Sequence, residues 1–166
     1  MTLATHMVVG AAAAKVLSSH PVEAFVIGWI SHYILDSVVH WDYPLSITGG
    51  QEHAPLNIRE ASKKLIAYDV GKVLIDVILG AIMIYVLSKN FSPDNVHLLV
   101  AGALGATIPD FLQFLYGVFK VRILAILQDF HNFMHAERTL KGRPIVGIAA
   151  QICVILIATY FFAAQL

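Results

Sequence analysis

The chain has 166 residues and 18.2 kDa, with 58% apolar residues, 13% charged residues and a mean hydropathy of +0.73. Soluble domains run near roughly 45–50% apolar and about 25% charged, so the composition excludes a disordered chain and argues against an ordinary soluble globule. Eleven basic and eleven acidic side chains balance, which implies no nucleic-acid partner, and the single Cys153 excludes a disulfide framework, a cysteine zinc cluster and a CxxC redox pair.

A membrane-crossing helix needs about 20 mainly apolar residues. The first segment, Leu3 to Leu17, is short and rich in Ala and Gly. Small residues let helices pack closely in lipid, so it is expected to be enclosed by the others. No basic stretch precedes it, and His6 and Lys15 interrupt it, so a cleaved signal is not expected. Pro21 to Trp41 is apolar apart from Glu23 and Asp36, with His32 and His40 inside. Residues 43 to 58 hold two prolines and a Gly-Gly pair and read as a loop. Lys72 to Leu87 is a shorter span whose inner end, from Leu65, mixes Asp69, Lys72 and Asp76 with aliphatic residues. Ser88 to Asp94 reads as a turn.

Asn95 to Phe119 is apolar apart from Asp110. Thr107-Ile108-Pro109-Asp110 reads as a helix restart inside it, with Thr107 as N-cap and Asp110 at the third helical position. Between Arg122 and Glu137 the apolar residues fall at helical spacing, with Gln128, Asp129 and Asn132 between them. That is an amphipathic helix at the surface. Pro144 to Leu166 carries no charge and is the clearest span. The fold class is therefore all-α: an integral membrane helical bundle with about five membrane segments and one amphipathic surface helix. Residues 1–166 form a single domain.

Nine of the eleven basic residues lie in two stretches. Arg59, Lys63, Lys64 and Lys72 flank the loop after the second segment. Lys120, Arg122, Arg138, Lys141 and Arg143 flank the amphipathic helix. The positive-inside rule puts both in the cytoplasm, with the N-terminus inside and the C-terminus outside.

Ionisable groups inside a span are costly, and they mark functional sites by default. His32, Asp36 and His40 form HxxxDxxxH, and steps of four residues keep them on one helix face. His131 and His135 form HxxxH on the amphipathic helix. With the topology above, His6, His32, Asp36, His40, Asp110, His131 and His135 all converge near the cytoplasmic end. Imidazole with carboxylate is a common metal-ligand set. Along a helix His32 and His40 stand about 12 Å apart, too far for one ion. The spacing points to two ions, one near each histidine, with Asp36 bridging. Without thiolate the set suits zinc, manganese or iron, and zinc is the first choice for hydrolysis. Asp110 is the candidate base, or else a ligand. Asp129 and Asp42 read as solvated or outer partners. Asp69 and Asp76 divide evenly between pairing with Lys72 and supporting a metal. His53, beside Glu52, reads as a lid ligand or a solvated loop residue. His20 and His97 fall near the outer face.

Thr5-His6 followed by Gly10, then SHYILDSVVHWDY, then Pro109-Asp110, then a late HxxxH, resembles the small membrane-bound metal-dependent hydrolase-like proteins of bacteria and archaea. The resemblance runs over most of the chain and implies a metal-dependent hydrolase of the cytoplasmic membrane. More distantly, HxxxD followed shortly by His is similar to the helical zinc-dependent phospholipase C and S1/P1 nuclease group, which holds a zinc cluster between helices. Here the gap from Asp36 to His40 is shorter, and HxxxH stands in place of HxxxE. The expected function is hydrolysis of a phosphoester in a phospholipid or lipid-linked substrate, with Arg138 and Lys141 at the inner rim holding the phosphate. Two alternatives stay open: a metal or proton transporter, and a non-catalytic, metal-stabilised membrane protein.

Overall fold

The computed structural model describes residues 1–48, 58, 61–91, 93–136, 140 and 142–164. His53, Glu52, Arg59, Arg138 and Lys141 lie outside them. Among the described residues the protein is all-helical. Six α-helices follow in order: α1 (Leu3–Leu17), α2 (Pro21–Asp36), α3 (Lys63–Phe91), α4 (Val96–Phe119), α5 (Arg122–Met134) and α6 (Pro144–Ala163).

The local chemistry of the helix ends is legible. Pro21 opens α2, where a missing N–H costs nothing. The Glu23 carboxylate accepts the N–H groups of Ser19 and His20 at 3.1 and 3.3 Å, satisfying donors just before the helix. Pro144 opens α6 in the same way. α4 ends where Lys120 turns left-handed, at φ 54°, and donates its N–H to the Tyr116 carbonyl at 3.0 Å.

α1 sits at the centre and packs on α2, α3, α4 and α6. Most of it is buried, as its small residues anticipate. Three helices meet at Gly102 of α4. A Cβ there would lie 2.5 Å from both the Ala14 Cβ and the Gly10 carbonyl oxygen of α1. A Cβ on Gly28 of α2 would lie 2.0 Å from the Gly102 carbonyl oxygen. Only hydrogen at both positions allows this backbone-to-backbone approach.

α3, α4 and α6 are long and apolar enough to cross a membrane, and the five expected spans reduce to these three by length and composition. α1 and α2, at 15 and 16 residues, fall short of that length on their own. The outward face of α6 is apolar throughout, with Ile145, Ile148, Ile152, Leu156 and Phe161 exposed.

Three expectations need correction. The second segment does not run as helix to Trp41. It leaves the helix after Asp36, whose carbonyl accepts the Ala136 N–H at 2.8 Å, and the β-branched pair Val38-Val39 continues outside it. HxxxDxxxH is therefore not one helical face. The third segment is longer than Lys72 to Leu87: the same helix takes in Asp69 and runs on to Phe91. The fourth segment does not restart at Thr107. α4 is continuous through Pro109, and the Thr107 hydroxyl donates back to the Leu104 carbonyl at 2.9 Å instead of capping a new helix. Pro109 removes one bond, to the Gly105 carbonyl, and the rest of the helix tolerates it.

Two aspartates on α3 have structural work. Asp76 caps α1, accepting the N–H groups of Leu3 and Ala4 at 2.6 and 3.2 Å. Asp69 accepts the Ile47 N–H at 2.8 Å and the Lys72 ammonium at 3.0 Å, pinning the segment after α2 to α3.

Candidate metal centre

The polar residues gather at one end of the bundle: the start of α1, the end of α2, α4 at Asp110, α5 and the start of α6. Gln151 of α6 ties this end together. Its carbonyl accepts the Thr2 N–H at 3.0 Å and the Thr2 and Thr5 hydroxyls at 2.7 and 3.1 Å, and its amide donates to the Trp41 carbonyl at 2.7 Å. Two backbone bonds join the segment after α5 to the segment after α2: Ala136 N–H to Asp36 and Leu140 N–H to His40, both 2.8 Å. They hold the HxxxH pair against the HxxxDxxxH triplet.

Asp36 is at the centre, with a side chain 2% exposed. Its two oxygens face different histidines. Oδ2 lies 3.0 Å from His32 Nε2 and 3.5 Å from His131 Nε2. Oδ1 lies 3.7 Å from His40 Nε2, 3.1 Å from His6 Nε2 and 3.2 Å from the Met1 amine. Each set has a further carboxylate. Asp110 Oδ1 is 3.7 Å from His32 Nε2 and 4.0 Å from His131 Nε2. Asp42 Oδ2 is 3.1 Å from His40 Nε2 and 3.8 Å from His135 Nε2. Two groups thus have ligand atoms close enough together to share an ion: His32, Asp36, Asp110 and His131, and Asp36, His40 and His135. Asp36 belongs to both.

The backbone sets the ring orientations. His32 Nδ1 lies 2.8 Å from the Ala106 carbonyl, and His40 Nδ1 lies 2.7 Å from the Val38 carbonyl. A carbonyl only accepts, so both Nδ1 atoms carry the proton. In a neutral ring the Nε2 lone pair then points at the carboxylates. Two acceptors then face each other, and either a proton on Nε2 or a cation between them resolves the repulsion. Such a carbonyl anchor is the usual outer support of a metal-binding imidazole. His6 Nδ1 and Nε2, His32 Nε2 and His131 Nδ1 are buried without a hydrogen-bond partner. Burial, with the His32 ring beside it, pushes the His131 pKa down to about 3, so this imidazole is neutral at ordinary pH. Burial alone would raise Asp42, but the His40 imidazole and the Met1 amine outweigh it and hold its carboxyl well below the usual range. The donor set of nitrogen and carboxylate, its orphaned buried atoms and its ring anchors fit a divalent transition metal.

All seven sequence-selected residues are brought together. His6 is in neither donor group, although its Nε2 lies 3.1 Å from Asp36 Oδ1 and its ring stacks on His32 with centroids 4.1 Å apart. Asp129 is exposed on α5, and His20 and His97 are exposed far along the chain from this end. Asp42 is the residue that sequence reasoning undervalued. Its signal was the His40-Trp41-Asp42 run: in extended chain, residues two apart share a side.

No family model, curated protein or solved structure matches the chain.

Proposed function

We propose that the protein is an integral membrane, metal-dependent hydrolase acting on a phosphoester of a phospholipid or lipid-linked substrate. The observation that carries this reading is Asp36, whose two oxygens face two separate histidine sets. That is the arrangement of a carboxylate bridging two cations. Zinc is the first choice, and manganese or iron also fit the donors. A pair of divalent ions held there would supply an acidified water and a clamp for phosphate oxygens.

The protein's own residues complete the reading. His32 and His131 would hold one ion, His40 and His135 the other. Asp110 is 31% exposed and Asp42 30% exposed, both more open than the histidines behind them. Asp110, beside one histidine set and lining the adjoining cavity, is placed to take a proton from water or to add a ligand. This open side favours catalysis over a metal that only stabilises, because a purely structural site is closed by protein ligands. A transporter needs polar groups through the other half of the bundle. There Ser88 is buried with its hydroxyl donated to Tyr85 of its own helix, and Lys15 donates to the Phe162 carbonyl.

Metal analysis tests the core of the proposal. Protein purified in detergent without a nickel column is expected to carry one to two equivalents of zinc, manganese or iron. Chelation should abolish phosphoester hydrolysis, and returned zinc should restore it. Folded protein that is free of metal and takes up neither zinc nor manganese overturns the reading.

The chain is read as five membrane segments, with α1 and α2 completing the three longer helices, in a bacterial or archaeal cytoplasmic membrane. The basic residues around the α2–α3 connection and α5 support a reading with the N-terminus and the site inside. Single cysteines at Ser62, Asp129 and Asp94, in a Cys153→Ala background, decide it. An impermeant thiol reagent on intact cells should label Asp94→Cys and spare the other two. The opposite pattern moves the site to the outer face.

A further inference from the structure

A cavity of about 1120 Å³ runs between α3 and α4. Both helices pack on α1 but hardly on each other, so they splay apart over its surface. Val77 and Ala81 line one wall, Val100, Leu104 and Phe111 the other, and Met7 of α1 contributes to the floor. Along α3 the lining runs from Ile66 to Ser88. At 1.5 Å per residue that is about 33 Å, close to the roughly 30 Å thickness of a bilayer's hydrocarbon core. One end of the groove is lined by Asp36, Asp42, Asp110, His131 and His135.

We propose that this groove holds the hydrocarbon tail of a phosphate-bearing membrane lipid, with the phosphate at the His/Asp cluster. The position of the phosphate rests on the hydrolase reading above. The position of the tail rests on the groove itself. The lining changes from apolar side chains to a polar cluster at one end, which is the polarity pattern of an amphiphile. Asp110 and Asp42 line the same cavity as the apolar walls, so a bound head group and a bound tail share one continuous space. A water-soluble phosphoester has no use for an apolar channel as long as the membrane core is thick.

The test uses the full chain in phosphatidylcholine vesicles containing a small share of phosphatidic acid with a diazirine at the end of one acyl chain. After irradiation, adducts are mapped by peptide mass spectrometry. Adducts are expected on the groove faces of α3 and α4, several-fold above those on the outward face of α6 at Ile148 and Ile152. Ala81 is exposed, so Ala81→Trp should narrow the groove without disturbing the core. It should lower the groove adducts several-fold with melting temperature and metal content unchanged, and Ile152→Trp should leave them unaltered. Adducts spread evenly over all outward faces overturn the proposal. So does an Ala81→Trp protein that labels like the wild type, or a dimer in which a second copy covers α3 and α4. The outcomes separate the two readings. Groove labelling without any phosphoester hydrolysis removes the hydrolase and leaves the lipid site. Hydrolysis of a soluble phosphoester that Ala81→Trp does not touch, with no groove labelling, removes the lipid site alone.

Discussion

Asp36→Asn is expected to lose most of the bound metal and nearly all hydrolysis. The substitution keeps the shape of the side chain and removes its charge. Among the described residues Asp36 is the one member shared by both donor groups, so its loss would affect both ion positions at once. Removing an outer partner of a metal ligand commonly costs 10–100-fold, so removing a shared ligand should cost at least about a hundredfold in activity. The stability readout separates this from a packing role. The Met1 amine, 3.2 Å from the buried carboxylate, is a counter-charge that needs no metal, so in a metal-free protein Asn would break this pair at a cost that chelator does not change. In the metal reading, chelator lowers the melting temperature of the wild type far more than that of the variant. Equal responses to chelator would end the bridging role for Asp36.

Gly102→Val should be the most damaging change away from the site. Its new side chain meets Ala14 and the Gly10 carbonyl on α1, and Gly28 of α2 already rests on the Gly102 carbonyl. Backbone cannot yield as a flexible side chain does, so the cost belongs at the upper end of overpacking, about 3 kcal/mol or more. For a chain of this size that lowers the melting temperature by about 6–12 °C. Gly71 is the control, because a Cβ there meets nothing within 4 Å. Gly71→Ala should hold or raise stability by up to about 1 kcal/mol through helix propensity. Equal melting temperatures for Gly102→Val and the wild type would show that α1 and α4 do not meet as closely as described.

Much of the architecture was legible in the sequence because hydropathy and small-residue content are local properties. The boundaries of α1, α4 and α6 follow from them within a residue or a few. The convergence of His6, His32, Asp36, Asp110, His131 and His135 was legible too, since charge-derived topology puts each at the same end. What failed was geometry that depends on distant partners. The end of α2 is set by the Ala136 N–H on the Asp36 carbonyl, a contact of a hundred residues' separation. The HxxxDxxxH pattern therefore looked like one helix face. The helix in fact ends inside the pattern, and the chain carries His40 to 3.7 Å from Asp36 Oδ1, far closer than a straight helix would suggest. Asp76 shows the same limit: an aspartate among aliphatic residues has no local sign that it caps another helix about seventy residues away. At Thr107 a capping motif was present but idle, because tertiary packing carried α4 straight through it.

The two donor groups are divided unequally along the chain, and this bears on how the protein is made. The residues up to Phe119 already include His6, His32, Asp36, His40, Asp42 and Asp110. His131 and His135 come later, on α5, which is short and packs on α2 and α4. Each donor group contains one of them. During synthesis the carboxylates of both groups therefore leave the ribosome ahead of the last two imidazoles. In the metal reading proposed above, each ion position would then be completed only once α5 folds back against α2 and α4.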